Sequence, residues 1–423
     1  MINKILNTFG ARSLSAVINF MIAIVISQYL GPEGKGEQGI ILATIAFVLV
    51  FSNLVGGATL VYLIPRYKPS LLILPSYLWS LGVSVIAFVL LWLFDIVEHE
   101  YILHICLLSV LNSFTNIHST MLIGREKIKA SNLISLMQPL IVISSLLISF
   151  MVLKDESVTA YIKALYFAFG GSLLVSIIYM FKTFGMISLY PIPAYFKVVN
   201  ELFRLGFMNQ MAHITQMMSF RLSYYFLELY HGDASVGIYS NGIQIMESIW
   251  LISKSISLVQ YARIANTDDR KYSQELSVKL LKASFFISLL CIIPLLLLPE
   301  SFYLFLFGKG FSGVKEVIWI LAPGVLIYNI SLILGHYFSG TGQYHVNTIA
   351  SSIGLVVSII LFVTLIPPYV TIGAGIAASI SYAVTSLVVM IFFLREAKIG
   401  GRAFLPHRQD VNLLKGMFKR KSE

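Results

Sequence analysis

Apolar residues gather in runs of about 20 or more, parted by short polar gaps, from one end of this 423-residue chain to the other. A run of that length crosses the ~30 Å hydrocarbon core of a bilayer as a helix rising about 1.5 Å per residue. The pattern predicts twelve spans, at about 11–30, 38–64, 71–94, 101–123, 131–153, 159–181, 205–229, 236–262, 276–298, 316–339, 344–366 and 371–394. Helices are the expected form because they satisfy their own backbone polar groups where no water can. The gaps reach only about 20 residues, too few for a soluble domain.

Composition agrees with the pattern. Hydrophobic residues make up 57% of the chain and charged residues 12%, about half the charged share of a soluble domain. Charge then orients the spans. Basic residues fall in alternate gaps: Lys4 and Arg12; Arg66 and Lys68; Arg125, Lys127 and Lys129; Lys182, Lys197 and Arg204; Arg263, Arg270, Lys271, Lys279 and Lys282; and a tail of eight from Arg395 to Lys421. These are 23 of the 30 Lys and Arg residues. The other gaps hold Lys35, Lys154, Lys163, Lys309 and Lys315 among acids such as Asp95, Glu98, Glu100, Asp155 and Glu156. The positive-inside rule therefore puts both termini in the cytoplasm. Topology accounts for the net charge of +10, so nucleic acid is not an expected partner. The first run is long and lacks a small-residue cleavage site, and it reads as a retained helix.

Several chemistries are disfavoured. Cys106 and Cys291 both lie inside apolar spans, without metal-ligand spacing. Gly308-Lys-Gly310 lacks the spacing of a phosphate-cradling loop. No nucleophile stands at readable spacing from a base. The expectation is a non-enzymatic protein with no cofactor and no metal.

A weak internal repeat organises the chain. Tyr29-Leu-Gly31-Pro-Glu-Gly-Lys-Gly36 follows the first span, and Tyr230-His-Gly232-Asp-Ala-Ser-Val-Gly237 follows the seventh. Aligning Gly31 with Gly232 aligns Gly36 with Gly237; a second echo pairs Gly124 after span four with Gly340 after span ten. Six spans per half give both halves the same orientation, as in repeats related by an axis along the membrane normal. The expected division is an N-terminal six-helix bundle at 1–190, a C-terminal bundle at 191–395 that opens with an interfacial linker, and a basic cytoplasmic tail at 396–423. Pro191 and Pro193 break the linker. Beyond them Phe196, Val199 and Phe203 share one helical side, as in a helix lying in the interface.

The charges that topology leaves over are those inside the spans. Arg221 lies within span seven; Glu247 lies near the middle of span eight, with Lys254 seven residues on. A charge at such depth costs at least about 2.5–3.5 kcal/mol on insertion scales. Two readings stand. Glu247 neutralises Arg221 or Lys254 and fixes helix packing, or the excess positive charge faces a polar cavity and receives an anionic substrate. Asn209, Gln210, His213, Gln216, Asn241 and Gln244 on the same spans add polar surface. His213 is a packing residue or a protonation site; Arg12 snorkels to headgroups or holds a ligand.

Four stretches carry a family likeness. They are Arg12-Ser-Leu-Ser with Tyr29–Gly36; Val236-Gly-Ile-Tyr-Ser240 with Glu247-Ser-Ile-Trp250; Leu306-Phe-Gly-Lys-Gly-Phe311; and Leu321-Ala-Pro-Gly324 leading to Gly340-Thr-Gly-Gln343. The chain resembles Wzx-type O-antigen flippases, in the polysaccharide-transporter branch of the multidrug/oligosaccharidyl-lipid/polysaccharide (MOP) exporter superfamily. The resemblance implies an all-α integral membrane protein of about twelve transmembrane helices in two six-helix bundles, arranged in a V like the multidrug exporters of the superfamily. It implies alternating-access transfer of an undecaprenyl-pyrophosphate-linked oligosaccharide, an O-antigen or similar repeat unit, from the cytoplasmic to the outer leaflet of a bacterial inner membrane. In that frame Arg12, Arg221, Lys254, Asn241 and Gln244 are the candidate substrate residues, and Glu247 and His213 the candidates for charge tuning or H+ or Na+ coupling. Membrane lipids, a polysaccharide polymerase and a chain-length regulator are the implied partners. Alternatives are a multidrug cation antiporter, which expects an acid-rich cavity, and a lipid II flippase.

Overall fold

The computed structural model describes residues 2–186, 188, 190–267 and 269–398, and every described element is helical. The basic tail from residue 399 on, and the side chain of Asn209, lie outside the described residues. The helices are α1 (Ile2–Gly56), α2 (Ala58–Leu63), α3 (Pro69–Phe94), α4 (His99–Gly124), α5 (Ile128–Leu147, continued by a π-helical turn), α6 (Val158–Phe184) and α7 (Pro193–His231). They continue as α8 (Asp233–Ser248), α9 (Trp250–Ile264), α10 (Arg270–Leu297), α11 (Glu300–Phe307), α12 (Val314–Gly340) and α13 (Tyr344–Ala397).

Eight of these helices are long and apolar enough to cross a membrane. Two of the eight are double-length. α1 turns at Gly31 (φ 67°, ψ −171°) and α13 at Val370 (φ 51°, ψ −127°), each beside proline: Pro32 in one, Pro367 and Pro368 in the other. Unbroken, a 55-residue α1 would run to about 80 Å, so the turn makes it two spans. α7 and the interrupted pair α8–α9 cover the stretches of the remaining two expected spans and are not among the eight. The multi-pass, all-helical membrane fold expected from hydropathy is thus the fold observed.

Helix ends follow local chemistry. Pro69 and Pro193 start α3 and α7, where a missing N–H costs nothing. Ser157 caps α6 by accepting from the Ala160 N–H at 3.1 Å, and Asp269 caps α10 by accepting from Tyr272 N–H at 2.9 Å.

Buried faces mix small polar residues with apolar ones, and large apolar residues also lie on the outer faces. On α3 the buried face carries Ser70, Ser76, Ser80 and Ser84, while Leu78, Val85, Val89 and Leu93 are exposed. With lipid as apolar as leucine, small residues let helices approach closely and large ones face the chains. The same logic joins α12 to α13. A Cβ at Gly324 would stand 2.5 Å from Ser379 Cα, and Ser379 Oγ donates to Ile320 O at 2.7 Å.

The described chain forms two compact units. Among the described residues the first holds 2–240 with 303–312, the second 241–302 with 313–398. α7 belongs to the first, packed along α1. The repeat boundary expected near residue 190 concerns sequence echoes and the unit boundary inside α8 concerns contacts, so the two need not coincide.

Candidate functional site

Gly31 and Gly232 have nearly the same backbone conformation (φ 67°, ψ −171° and φ 74°, ψ 176°), and each opens the helical segment that follows. Those segments then pack on one another within the first unit. A Cβ on Gly36 would lie 2.0 Å from Asp233 O, and one on Gly237 would lie 2.1 Å from Pro32 O. The paired echo of Gly124 and Gly340 is also structural. Gly124 closes on Ile64, where a Cβ would meet Cγ2 at 2.2 Å; Gly340 closes on Ile264, at 2.8 Å.

In the first unit, α7 presents the candidate residues of span seven. Its Gln210 is consumed structurally: it is buried and donates Nε2–H to Val50 O of α1 at 3.1 Å. Tyr225 OH and Thr44 Oγ1 meet at 2.7 Å and make a second tie to α1. Arg221 is half-buried, its guanidinium carbon 5.6 Å from the centre of the Tyr224 ring, where the ring face attracts the cation. His213 and Arg12 are exposed.

In the second unit, α8 carries Asn241, buried, and Gln244 and Glu247, both half-buried. The helix is interrupted after Ser248 by tighter bonds: Ile249 N–H to Met246 O at 3.3 Å and Ile252 N–H to Ile249 O at 3.2 Å. A 3₁₀ step winds further per residue than an α step. Glu247 stands on the α8 side of this interruption and Lys254 on the α9 side. Lys254 is exposed, with Nζ 5.8 Å from the Trp250 ring centre. Trp250 itself is fixed by Nε1–H donation to Val325 O at 3.0 Å and by Tyr328 and Tyr382, at centroid distances of 4.8 and 5.3 Å. The candidate set thus divides between the units: Arg12, His213 and Arg221 in the first, Asn241, Gln244, Glu247 and Lys254 in the second.

Three polar clusters are more developed than the sequence suggests. Lys35, placed by its gap with the outer bases, is 4% exposed and donates Nζ–H to Gln38 Oε1 at 2.6 Å; Gln38 donates to Tyr161 OH at 3.3 Å. His118 joins Tyr77 OH through Nε2 and Ser176 Oγ, at 2.6 Å, through Nδ1, linking α3, α4 and α6. In the second unit Asn329 Oδ1 accepts from Ser253, and from Ser284 and Ser288 at 3.3 Å each. A Ser-x₃-Ser spacing in α10 facing one intramembrane Asn is the signal that marks this last cluster in sequence. For Lys35 no local signal exists.

Outside the spans, burial and then the nearby Glu98 and Glu33 push the Asp233 carboxyl above its usual range. Asp155 is held low by Ser157 donating at 2.6 Å and by Lys163 at 3.3 Å. Among the described residues no group of three or more His, Cys, Asp or Glu side chains could hold a metal ion.

No family model matches the chain. Known proteins and structures do. The inward closed conformation of the lipid II flippase MurJ superposes with a TM-score of 0.75, covering 94% of this chain and 88% of that one at 17% identity. The inward-facing conformation of a MATE-family multidrug resistance transporter of the MOP superfamily gives 0.74, covering 91% and 94% at 14% identity. The chain has the fold of the MOP-superfamily transporters. A Staphylococcus aureus protein, "Capsular polysaccharide biosynthesis protein CapF", is 24% identical over 405 residues, which are 92% of this chain and 98% of that protein. The likeness to polysaccharide-transporter proteins read from the four motifs thus has a counterpart in a polysaccharide biosynthesis protein matched over nearly the whole length.

Proposed function

We propose that this chain is a flippase for a lipid-linked oligosaccharide, moving an undecaprenyl-pyrophosphate-linked repeat unit from the cytoplasmic to the outer leaflet by alternating access. The observation that carries the reading is the end-to-end similarity to a capsular polysaccharide biosynthesis protein in a chain whose fold is that of transporters. A pyrophosphate-sugar headgroup cannot enter hydrocarbon, whereas a polyprenyl tail can stay in it. Cationic side chains at depth replace the water around the diphosphate. Arg221 and Lys254 are the residues assigned to the anion, with Asn241 and Gln244 as neutral hydrogen-bonding groups and Arg12 attracting the anion from the cytoplasm. Glu247 tunes or releases the anion, and protonation of Glu247 or His213 couples the cycle to a H+ gradient, with Na+ the other candidate ion. The alternating basic gaps support a cytoplasmic-membrane location with both ends inside. The polymerase and chain-length regulator remain the expected partners.

Deleting the gene and profiling surface polysaccharide tests the reading. Loss of the polymer, restored by this chain with drug resistance unchanged, is expected. The MurJ likeness favours lipid II as a second reading. That reading expects loss of the chain to deplete peptidoglycan precursor at the outer leaflet while the surface polymer persists.

A further inference from the structure

The face bearing the basic gaps carries a cavity of about 700 Å³ in the first unit, formed where α1, the α4–α5 turn, α5 and α6 meet. Its walls are mainly apolar, with Leu133 and Leu136 of α5 and Ala11 of α1 among them. Its lining also includes three bases, Lys127, Lys129 and Lys182, against a single carboxylate, Glu126. All three lysines are exposed. The turn presenting two of them is firmly built: Gly124 is closed on Ile64, Glu126 sits at φ 57°, and Lys127 N–H donates to Leu122 O at 2.8 Å.

An apolar chamber with an excess of ammonium groups fits one class of molecule, an amphiphile with an anionic head. The volume is that of an ordinary small-molecule site. Its place at the basic ends of the spans is the depth at which lysines meet the headgroups of the cytoplasmic leaflet. We propose that this cavity binds an anionic glycerophospholipid, the phosphate held by Lys127, Lys129 and Lys182 and the upper acyl chain laid against Leu133 and Leu136. None of the residues assigned to the flipped substrate lines it. The bound lipid would brace the junction of α1, α5 and α6 and make the chain sensitive to the anionic content of the inner leaflet.

Native mass spectrometry of the purified full-length chain, titrated with phosphatidylglycerol or phosphatidylcholine, tests this without any transport assay. One phosphatidylglycerol is expected to bind at least about tenfold more tightly than phosphatidylcholine, since each base near an anionic headgroup contributes severalfold. The triple variant Lys127→Gln, Lys129→Gln, Lys182→Gln is expected to lose that preference. A triple Lys→Arg variant is expected to keep it, and Lys271→Gln with Lys279→Gln in the second unit to leave it unchanged. Equal binding of both lipids, or full phosphatidylglycerol preference in the Gln variant, would overturn the proposal. Displacement by millimolar inorganic phosphate would make it a free-anion site, and displacement by equimolar undecaprenyl phosphate a carrier-lipid site; either result also overturns it.

Discussion

The two glycine turns, 29–36 and 230–237, have one backbone and two chemistries. Gly31 and Gly232 share a conformation, and Gly36 and Gly237 each meet the other segment's main chain. In that register Lys35 aligns with Val236, and both side chains are buried, at 4% and 0% exposure. The same geometry therefore accepts either an ammonium group or an isopropyl group. The comparison separates what the fold demands, which is glycine, from what it tolerates, a cation whose partners are the amide of Gln38 and, beyond it, Tyr161.

Substitutions that break the shared geometry have the largest expected effects. Gly36→Ala and Gly237→Ala each drive a Cβ to about 2 Å from a carbonyl oxygen, an overlap only main-chain movement relieves. Each is expected to cost more than about 4 kcal/mol, seen as loss of monodisperse protein or a collapsed melting temperature in detergent. Gly31→Ala and Gly232→Ala meet no neighbour within 4 Å and bear only the backbone penalty of a glycine-only region, about 1–3 kcal/mol. Equal losses at the two sites would sharpen the equivalence; a large loss at one alone would break it. Lys35→Met asks whether the cation serves the fold. Relief of a buried charge offsets the lost bond to Gln38, so stability is expected to hold or to rise by about 1 kcal/mol, and a strong destabilisation would make Lys35 structural.

The smallest effect is one of pH. Asp233 follows Gly232, and burial with Glu98 and Glu33 raises its carboxyl. A raised folded pKa means the folded chain holds the proton more tightly. The contribution is therefore full below the unfolded value of about 3.9 and is lost as pH rises through the folded one. Asp233→Asn is expected to raise the melting temperature modestly at neutral pH and to flatten its dependence on pH. Pro32 stands at the aligned position and carries no such titration.

Much of this architecture was legible in the chain. Hydropathy located the crossings because the cost of exposing polar groups to lipid is large and local. Gly31, Gly232, Pro191 and Pro193 marked breaks because backbone conformation is read residue by residue. The interior was less legible. Lipid-facing and buried positions are both apolar in a bilayer, so α3 does not announce that Leu72 and Leu91 are buried with its serines while Leu78 and Leu93 are exposed. Lys35 falls by sequence in a gap between spans, and its burial on Gln38, with Tyr161 of α6 behind it, shows only in the packed structure. The Asn329 cluster needs α9, α10 and α12 brought together before its hydroxyls have a common acceptor. The cations singled out as functional were found by their depth alone, a signal that names the residue but not what it faces.

Proteoliposomes loaded on one leaflet with an undecaprenyl-pyrophosphate-linked oligosaccharide give the most direct test. The expected result is translocation well above protein-free vesicles, with Arg221→Gln, Lys254→Gln reduced at least about tenfold, the worth of one lost charge-assisted contact, while the variant remains folded. Translocation by the variant at the wild-type rate, or none by the wild-type chain, would contradict the account.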